Sequence, residues 1–312
     1  VLHRVDGLTF KAAAFTNLSP EHLDFHRDLD DYFEAKVLLF EKHLESGGFG
    51  VVNTDDPYGR KLFSRLPNDR RLSFGLEPGV DITADNVRLT QEETVLELVT
   101  PGWSRRLRSP LVGEHNLRNC LGTAGMALAL GLSEQAIVDG LQADTIAPGR
   151  LEAIENSRGA RILVDFAHTP DGLLQVLRSL SALPHRGIVT VFGCGGDRDR
   201  TKRPVMGGIA HSYSDHAILT SDNPRTEDPI TILEEVAAGM VEGEGSYEIV
   251  PDRREAIARG LQLVGEGDIL LVAGKGHETM QILGTKLHDF DDRAVVRELL
   301  AEIDGAVPGE AR

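Results

Sequence analysis

Cysteine is scarce in this chain. Cys120 and Cys194 are the only two in 312 residues, so no disulfide framework organises the fold, and a reducing compartment, the cytoplasm, is expected. Long apolar runs are missing too. Nothing approaches the roughly 20 residues that span a bilayer, and nothing resembles a secretory leader, so membrane insertion is not expected. Basic charge is in short supply, with 33 Lys and Arg against 49 Asp and Glu and a formal charge of -16. Such a field repels nucleic acid and anionic lipid at long range, and an anionic ligand must be captured by local arginines. The sequence contains no G-x-x-x-x-G-K-[ST] phosphate loop and no G-x-G-x-x-G fingerprint leading into a helix, which weakens a dinucleotide reading. It opens on Val1, not Met, and is expected to begin inside a longer protein.

What is present is the composition of a soluble globular protein: 41% hydrophobic and 26% charged residues leave disorder and fibre as poor readings. The length suits two ordinary domains. From Ile162 onward, four apolar runs alternate with helical patterns, as in parallel α/β architecture. They are Ile162 to Asp165, Gly187 to Phe192, His216 to Thr220 and Asp268 to Ala273. In an open parallel sheet ligands collect beyond the carboxyl ends of strands, so the loops after these runs are the place to look for chemistry. Earlier, Asp30 to Glu45 reads as an amphipathic helix and Val51 to Asn53 as a short strand. Residues 70 to 108 read as a β-rich excursion, followed by helices from Asn116 to Leu130 and from Ser133. A Pro148-Gly149 pair marks a domain boundary.

Three sets of residues carry candidate chemistry. On the first helix Lys36 lies three residues after Phe33 and four before Phe40, a spacing expected to place it on their apolar face instead of in water. An amine held among apolar groups is more readily neutral, and a neutral amine takes up carbon dioxide to become a carbamate, an oxygen ligand for magnesium. On the pattern alone, a lysine snorkelling from the helix edge is the stronger reading. His22 is equally readable as a turn histidine. The second set is Gly113-Glu-His-Asn116-Leu-Arg-Asn119, where two amides three residues apart share a helical face and suit a base edge.

The third set occupies the four loops: Asp165-Phe-Ala-His168, Gly193-Cys-Gly-Gly-Asp-Arg198, Asp222-Asn223-Pro224-Arg225 and Gly274-Lys-Gly-His-Glu278. They bring a glycine loop, guanidinium forks, an amide and a carboxylate to one crevice, a combination suited to a small zwitterion. The alternative is a set of solvated turns.

With Thr16-Asn-Leu-Ser, Asp31-Tyr-Phe-Glu-Ala-Lys36 and Pro148-Gly-Arg150-Leu-Glu added, these segments resemble the Mur ligases over essentially the whole chain, and their diaminopimelate-adding branch most. The resemblance implies an α/β fold, with a truncated central ATPase domain at 1–148 followed by a Rossmann-like C-terminal domain at 149–312. It implies ATP and magnesium as cofactors, and the UDP-N-acetylmuramoyl dipeptide and meso-diaminopimelate as partners. By it, Lys36 is the carbamylated lysine, His22 a magnesium contact and Arg4 a contact to the UDP-muramoyl substrate. Asn116, Asn119, Arg150, Asp165 and His168 face ATP, while Arg198, Asp222, Asn223, Pro224, Arg225, Gly274 and Glu278 match the amino-acid pocket.

The sequence departs from the family pattern at Phe166, where tyrosine is usual, at Arg27, and at Arg200-Thr201. The family's phosphate loop is expected upstream of Val1, so the chain by itself is expected to bind diaminopimelate but not to ligate. Two competitors share the scaffold: a folylpolyglutamate synthetase-like ligase, which the Asp222 to Arg225 loop argues against, and a non-catalytic binding or scaffold protein.

Overall fold

A computed structural model describes residues 5–20, 25–90, 93–143, 147–241 and 245–305. The chain divides into two units, Val1–Thr145 and Ile146–Arg312.

In the first unit β1 (Phe10–Phe15), β2 (Leu44–Asn53) and β3 (Arg71–Phe74) form a parallel sheet in that order. Successive side chains of β2 serve opposite faces, as strand geometry requires. Val52 joins Phe15, Phe33, Val37, Phe40 and Leu62 on one side, whereas Val51 joins Phe74, Leu117, Leu121 and Ala124 on the other. Helix α1 (Leu29–Lys42) covers the first face. It starts where the Asp28 carboxylate accepts the Asp31 amide at 2.8 Å, a cap worth about 1 kcal/mol. Its buried stripe is Phe33, Val37 and Phe40, spaced one and two turns apart. Burying Phe33 contributes about 1.5–3 kcal/mol. Helix α2 (Pro57–Arg65) begins on an Asp56 cap with proline in its first turn, where the missing amide costs nothing.

The expected helix to Glu45 stops early, and β2 is far longer than Val51 to Asn53. Tertiary pairing accounts for both: the Phe10 amide donates to the His43 carbonyl at 2.7 Å, and Phe10 pairs with Leu44. The segment Ser46-Gly47-Gly48, poor in helix propensity, follows the sheet. The β-rich excursion is an antiparallel meander of β4 (Thr83–Leu89), β5 (Thr94–Val99) and β6 (Ser104–Ser109). Helices α3 (Glu114–Ala129) and α4 (Glu134–Gln142) follow, the latter capped by Ser133.

The second unit is a six-stranded sheet in the order β11-β10-β9-β12-β8-β7. Its strands are β7 (Glu152–Ile154), β8 (Arg161–Asp165), β9 (Ile188–Phe192), β10 (His216–Leu219), β11 (Ser246–Ile249) and β12 (Ile269–Ala273). All pairs are parallel except β7 with β8. The four expected strands are β8, β9, β10 and β12, each within a residue of its expected bounds. Their apolar runs are continuous because both faces are covered. Ile162, Val164, Val191, Ile218, Leu270 and Val272 pack on α8 (Arg253–Leu263) and α9 (Asp292–Gly305) through Ile257, Leu261 and Val296. Helices α5 (Pro170–Ser181), α6 (Lys202–Tyr213) and α7 (Pro229–Ala237) pack in sequence on one another.

From β9 the chain winds outward through β10 to β11, then returns to place β12 between β9 and β8. That reversal opens a crevice at the carboxyl ends of β8, β9, β10 and β12. A hairpin of β13 (Met280–Leu283) and β14 (Lys286–Asp289) follows β12. Among the described residues no helix is long and apolar enough to cross a membrane.

Candidate functional site

The strand ends of the second unit present their loops through short, capped exits. Thr169 caps α5 and Asp228 caps α7, each followed by proline, so the loops after β8 and β10 both end in a capped first turn of helix. The loop after β9 must be glycine-rich because it lies against the loop after β10. A Cβ on Gly196 would stand 1.8 Å from the Pro224 carbonyl oxygen, and the Gly196 amide instead donates to the Asn223 carbonyl at 2.9 Å.

The arginines here fall into two groups. Arg203 is fully buried and donates to both oxygens of Glu227 at 2.9 and 2.8 Å, to Glu235 at 2.7 Å and to the Gly195 carbonyl at 3.2 Å. Arg200 also binds Glu235. The Arg203 guanidinium holds the Glu227 carboxyl at about 2, well below its ordinary 4.5. Arg253 is likewise buried and makes a two-pronged pair with buried Asp292 at 2.7 Å, beneath the ends of β10 and β12. These side chains are consumed by structure.

Arg198 and Arg225 are not. Arg198 is exposed and donates to the Asp197 carbonyl. Half-buried Arg225 donates to the Gly196 and Asn223 carbonyls at 2.7 and 3.4 Å. Among the described residues, neither is hydrogen-bonded to a carboxylate. Both side chains approach the space above Gly195. Burial, then the nearby positive charge of Arg198, push the Arg225 guanidinium below its usual range. The nearby carboxylates of Asp222, Asp197 and Glu278 oppose that shift without reversing it, so the two cations still offer a site for an added carboxylate.

The opposite charge lies beside them. Buried Asn223 donates to Glu278 at 3.0 Å and accepts from the Ile282 amide at 2.9 Å. Lys275, also fully buried, donates to Asn223, to the same Glu278 oxygen and to the Met280 carbonyl at 3.3, 3.0 and 2.6 Å. Burial would raise the Glu278 carboxyl, but Lys275 and Asn223 outweigh it and leave it low. Asp222 is buried and raised by desolvation, and its Oδ2 has no hydrogen-bond partner. Gly274, at φ +116°, makes room for it: a Cβ there would lie 2.7 Å from that oxygen. Pro224 is buried within the same loop. Arg198, Asp222, Asn223, Pro224, Arg225, Gly274 and Glu278 therefore converge as the loop pattern indicates.

A second cluster surrounds Phe166. The Arg150 guanidinium sits 4.7 Å from its ring centre, and the His168 and His277 rings lie at 4.5 and 4.9 Å. Asp165 ends β8 and accepts the Leu151 and Ala167 amides at 2.7 and 2.8 Å. Desolvation raises its carboxyl despite those bonds. Arg150, Asp165 and His168 are thus neighbours, with an aromatic platform between them.

In the first unit Lys36 is half-buried at the edge of the Phe33, Val37, Phe40 stripe, with its amine 4.8 Å from the Tyr32 ring centre. Val37 takes the centre of the face, so Lys36 flanks the core instead of sharing that face as its spacing predicts. Tyr32 in turn stacks on His26 at 4.9 Å. Asn119 donates to Asn116 at 3.2 Å and Asn116 to the Val112 carbonyl at 2.9 Å, so the amides do share one face of α3. Arg4 and His22 lie outside the described residues. Among the described residues, no group of three or more His, Cys, Asp or Glu is arranged to hold a metal ion.

The sequence carries Lys275 inside a motif that gives it no task, and nothing in it singles out Arg203 or Glu227. Full burial of a cation beside a glycine loop was the missing signal, and burial is a property of the fold. Arg253 and Asp292 are 39 residues apart, with no local pattern to join them.

A profile of the Mur ligase middle domain matches residues 1–127, and one of the Mur ligase glutamate ligase domain matches residues 149–276. The UDP-N-acetylmuramoyl-L-alanyl-D-glutamate--2,6-diaminopimelate ligase of Gloeobacter violaceus is 45% identical over 300 residues, covering 96% of this chain and 60% of the relative. A solved structure of a ligase of that same name superposes with a TM-score of 0.61 at 35% identity, over 96% of this chain and 62% of the other. Folylpolyglutamate synthase of Mycobacterium tuberculosis, solved with ADP and AMPPCP, superposes at 0.70 with 19% identity over 85% of this chain and 61% of the other, a likeness of fold alone. The chain spans about 60% of the length of the curated relatives it matches.

Proposed function

Since the chain belongs to the Mur ligase family, we propose that it forms the amino-acid site and part of the nucleotide site of an ATP-dependent ligase joining meso-diaminopimelate to UDP-N-acetylmuramoyl-L-alanyl-D-glutamate. One observation carries the reading furthest: Arg198 and Arg225 lack a bonded carboxylate, while Glu278 and Asp222 lie in the adjoining loops. Diaminopimelate carries two carboxylates and two ammonium groups, and this arrangement offers partners of both signs. Lysine lacks the second carboxylate, and its binding would leave a guanidinium desolvated and unpaired.

In the reaction the D-glutamate side-chain carboxylate attacks the terminal phosphorus of ATP, giving an acyl phosphate and ADP. An amine of the amino acid then attacks the acyl carbon, loses a proton, and phosphate leaves from the tetrahedral intermediate. Arg198 and Arg225 hold the amino acid by a carboxylate, and Glu278 and Asp222 hold an ammonium group, fixing the approach of the reacting nitrogen. Arg150, Asp165 and His168 are the nucleotide contacts assigned to the second unit, and Asn116 and Asn119 those assigned to the first.

Protonated Lys36 has no lone pair for a metal, but its carbamate offers oxygens suited to magnesium, with His22 as a further donor. Magnesium, when bound, supplies neutralisation of phosphoryl charge. Arg4 is assigned to the UDP-muramoyl substrate. The cytoplasm, where these nucleotide substrates are soluble, is the proposed compartment.

Calorimetry on the 312-residue chain tests the amino-acid site. The chain should bind meso-diaminopimelate more tightly than L-lysine or L-glutamate, and Arg225→Ala should cost diaminopimelate about 2–5 kcal/mol while leaving lysine affinity unchanged or improved, since the unpaired guanidinium is gone. Equal affinity of the unmodified chain for all three amino acids would rule the reading out.

A further inference from the structure

Arg198 and Arg225 stand on different loops and repel each other, and among the described residues neither is hydrogen-bonded to a carboxylate. Something must fix their separation. Both loops carry strain at this point: Asp197 and Arg225 each sit at φ 53°, a left-handed conformation that side chains disfavour and surrounding bonds must impose. For Asp197 those bonds come from the neighbouring loop. Its amide donates to Glu227 Oε1 at 2.6 Å, and its own carboxylate accepts from the Thr226 hydroxyl at 2.8 Å. Glu227 lies two residues beyond Arg225, and Asp197 immediately precedes Arg198. A single carboxylate therefore ties the backbone beside one arginine to the backbone beside the other. It is gripped in turn by the fully buried Arg203, which also holds Gly195.

We infer that Glu227, clamped by Arg203, is a positioning residue that sets the spacing of Arg198 and Arg225 and so the selection of an amino acid with a second carboxylate. The inference rests on the amino-acid-site reading above. Glu235 provides an internal control. It shares Arg203 at 2.7 Å, but its bonds go to Arg200 and Arg203, and none reaches Asp197.

Glu227→Gln keeps the size of the side chain but turns an NH2 group against Arg203. In the 312-residue chain it should lower the ratio of diaminopimelate to lysine affinity at least about tenfold by calorimetry. Glu235→Gln should lose thermal stability yet keep that ratio within about twofold, since a purely structural role moves both ligands together. Hydrogen exchange at the Asp197 amide, read without ligand, should accelerate in Glu227→Gln and not in Glu235→Gln. Should Glu227→Gln fail to fold, Glu227→Asp, with its shorter reach, should shift both readouts in the same direction.

An unchanged ratio in a folded Glu227 variant, with the unmodified chain preferring diaminopimelate, overturns the selectivity role. An unmodified chain with no such preference overturns the site reading instead. Hydrogen exchange then decides the positioning alone: a still-protected Asp197 amide in Glu227→Gln refutes it, and faster exchange upholds it.

Discussion

The candidate residues of the second unit are held by buried charge, and those of the first are held by their own helix. Around Arg198 and Arg225 lie Arg203, Lys275, Arg253 and Asp292, each essentially inaccessible and each bonded to the backbone or side chain of another element. Among the described residues, the ring contact of Lys36 and the side-chain hydrogen bonds of Asn116 and Asn119 go to near neighbours in sequence, namely Tyr32, Val112 and one another. A site built the first way is preformed at a cost in desolvation. One built the second way is cheap to form and is oriented only as firmly as its helix. The two units thus place their candidate groups with different rigidity, and this contrast is open to measurement.

The largest expected effect concerns the ion pair under the strand ends. Arg253→Met leaves Asp292 buried without its cation and should destabilise the second unit by about 3–5 kcal/mol in denaturant unfolding, whereas Arg253→Met with Asp292→Leu should recover most of that loss. A single variant as stable as the parent would mean that the pair does not hold this crevice.

Acid titration comes next. Glu227 drops from 4.5 to about 2 on folding. At about 1.4 kcal/mol per unit that limits its contribution to roughly 3 kcal/mol, less because the side chain is 20% exposed. A depressed carboxyl stabilises above its unfolded value, so the contribution is complete above about pH 4.5 and disappears as pH falls through about 2. Asp165 and Asp222 are raised and act with the opposite sign: their penalty at neutral pH is relieved as they protonate. Unfolding midpoints measured against pH should therefore show an acid-side loss that Glu227→Gln lacks. Identical profiles would remove Glu227 from the account.

A smaller effect is expected at Gly196. Alanine there must push its Cβ away from the Pro224 carbonyl, and overpacking of this kind costs about 1–3 kcal/mol. Diaminopimelate affinity should fall with it, because the two loops part. Unfolding and calorimetry on the same variant separate the two losses.

How much of this was legible depends on whether the signal was local. The strands β8, β9, β10 and β12 were readable because a strand covered on both faces needs an unbroken apolar run, and the loops were readable because each follows its strand directly. Strand β11 was not: Ser246-Tyr247-Glu248-Ile249 is an edge segment with exposed apolar groups and no run to mark it. Most of β2 escaped because pairing with β1, not propensity, makes Leu44–Gly50 extended. The pocket residues were legible as motifs, but the buried cations that hold them were not. Burial and partner choice arise from contacts between loops distant in sequence, as the 24 residues separating Arg203 from Glu227 illustrate. Arg4 and His22 fall outside the described residues, so their roles remain expectations from the family resemblance.

The smallest effect belongs to the first unit. Asn119 is exposed on α3, and among the described residues its side chain bonds Asn116, one turn back, and no other element. Truncation removes one solvent-accessible hydrogen bond, which water replaces, and alanine has the higher helix propensity by a few tenths of a kcal/mol. The two terms oppose each other. Asn119→Ala should therefore change the unfolding free energy by less than about 0.5 kcal/mol, in either direction. Asn116→Ala should cost somewhat more, because the Val112 carbonyl loses its donor at the start of the helix. Chemical denaturation of both variants beside Arg253→Met puts the contrast between the units on one scale. A loss at Asn119 comparable to that at Arg253 would show that the first unit's amides are braced as firmly as the second unit's crevice, and the distinction between the two would collapse.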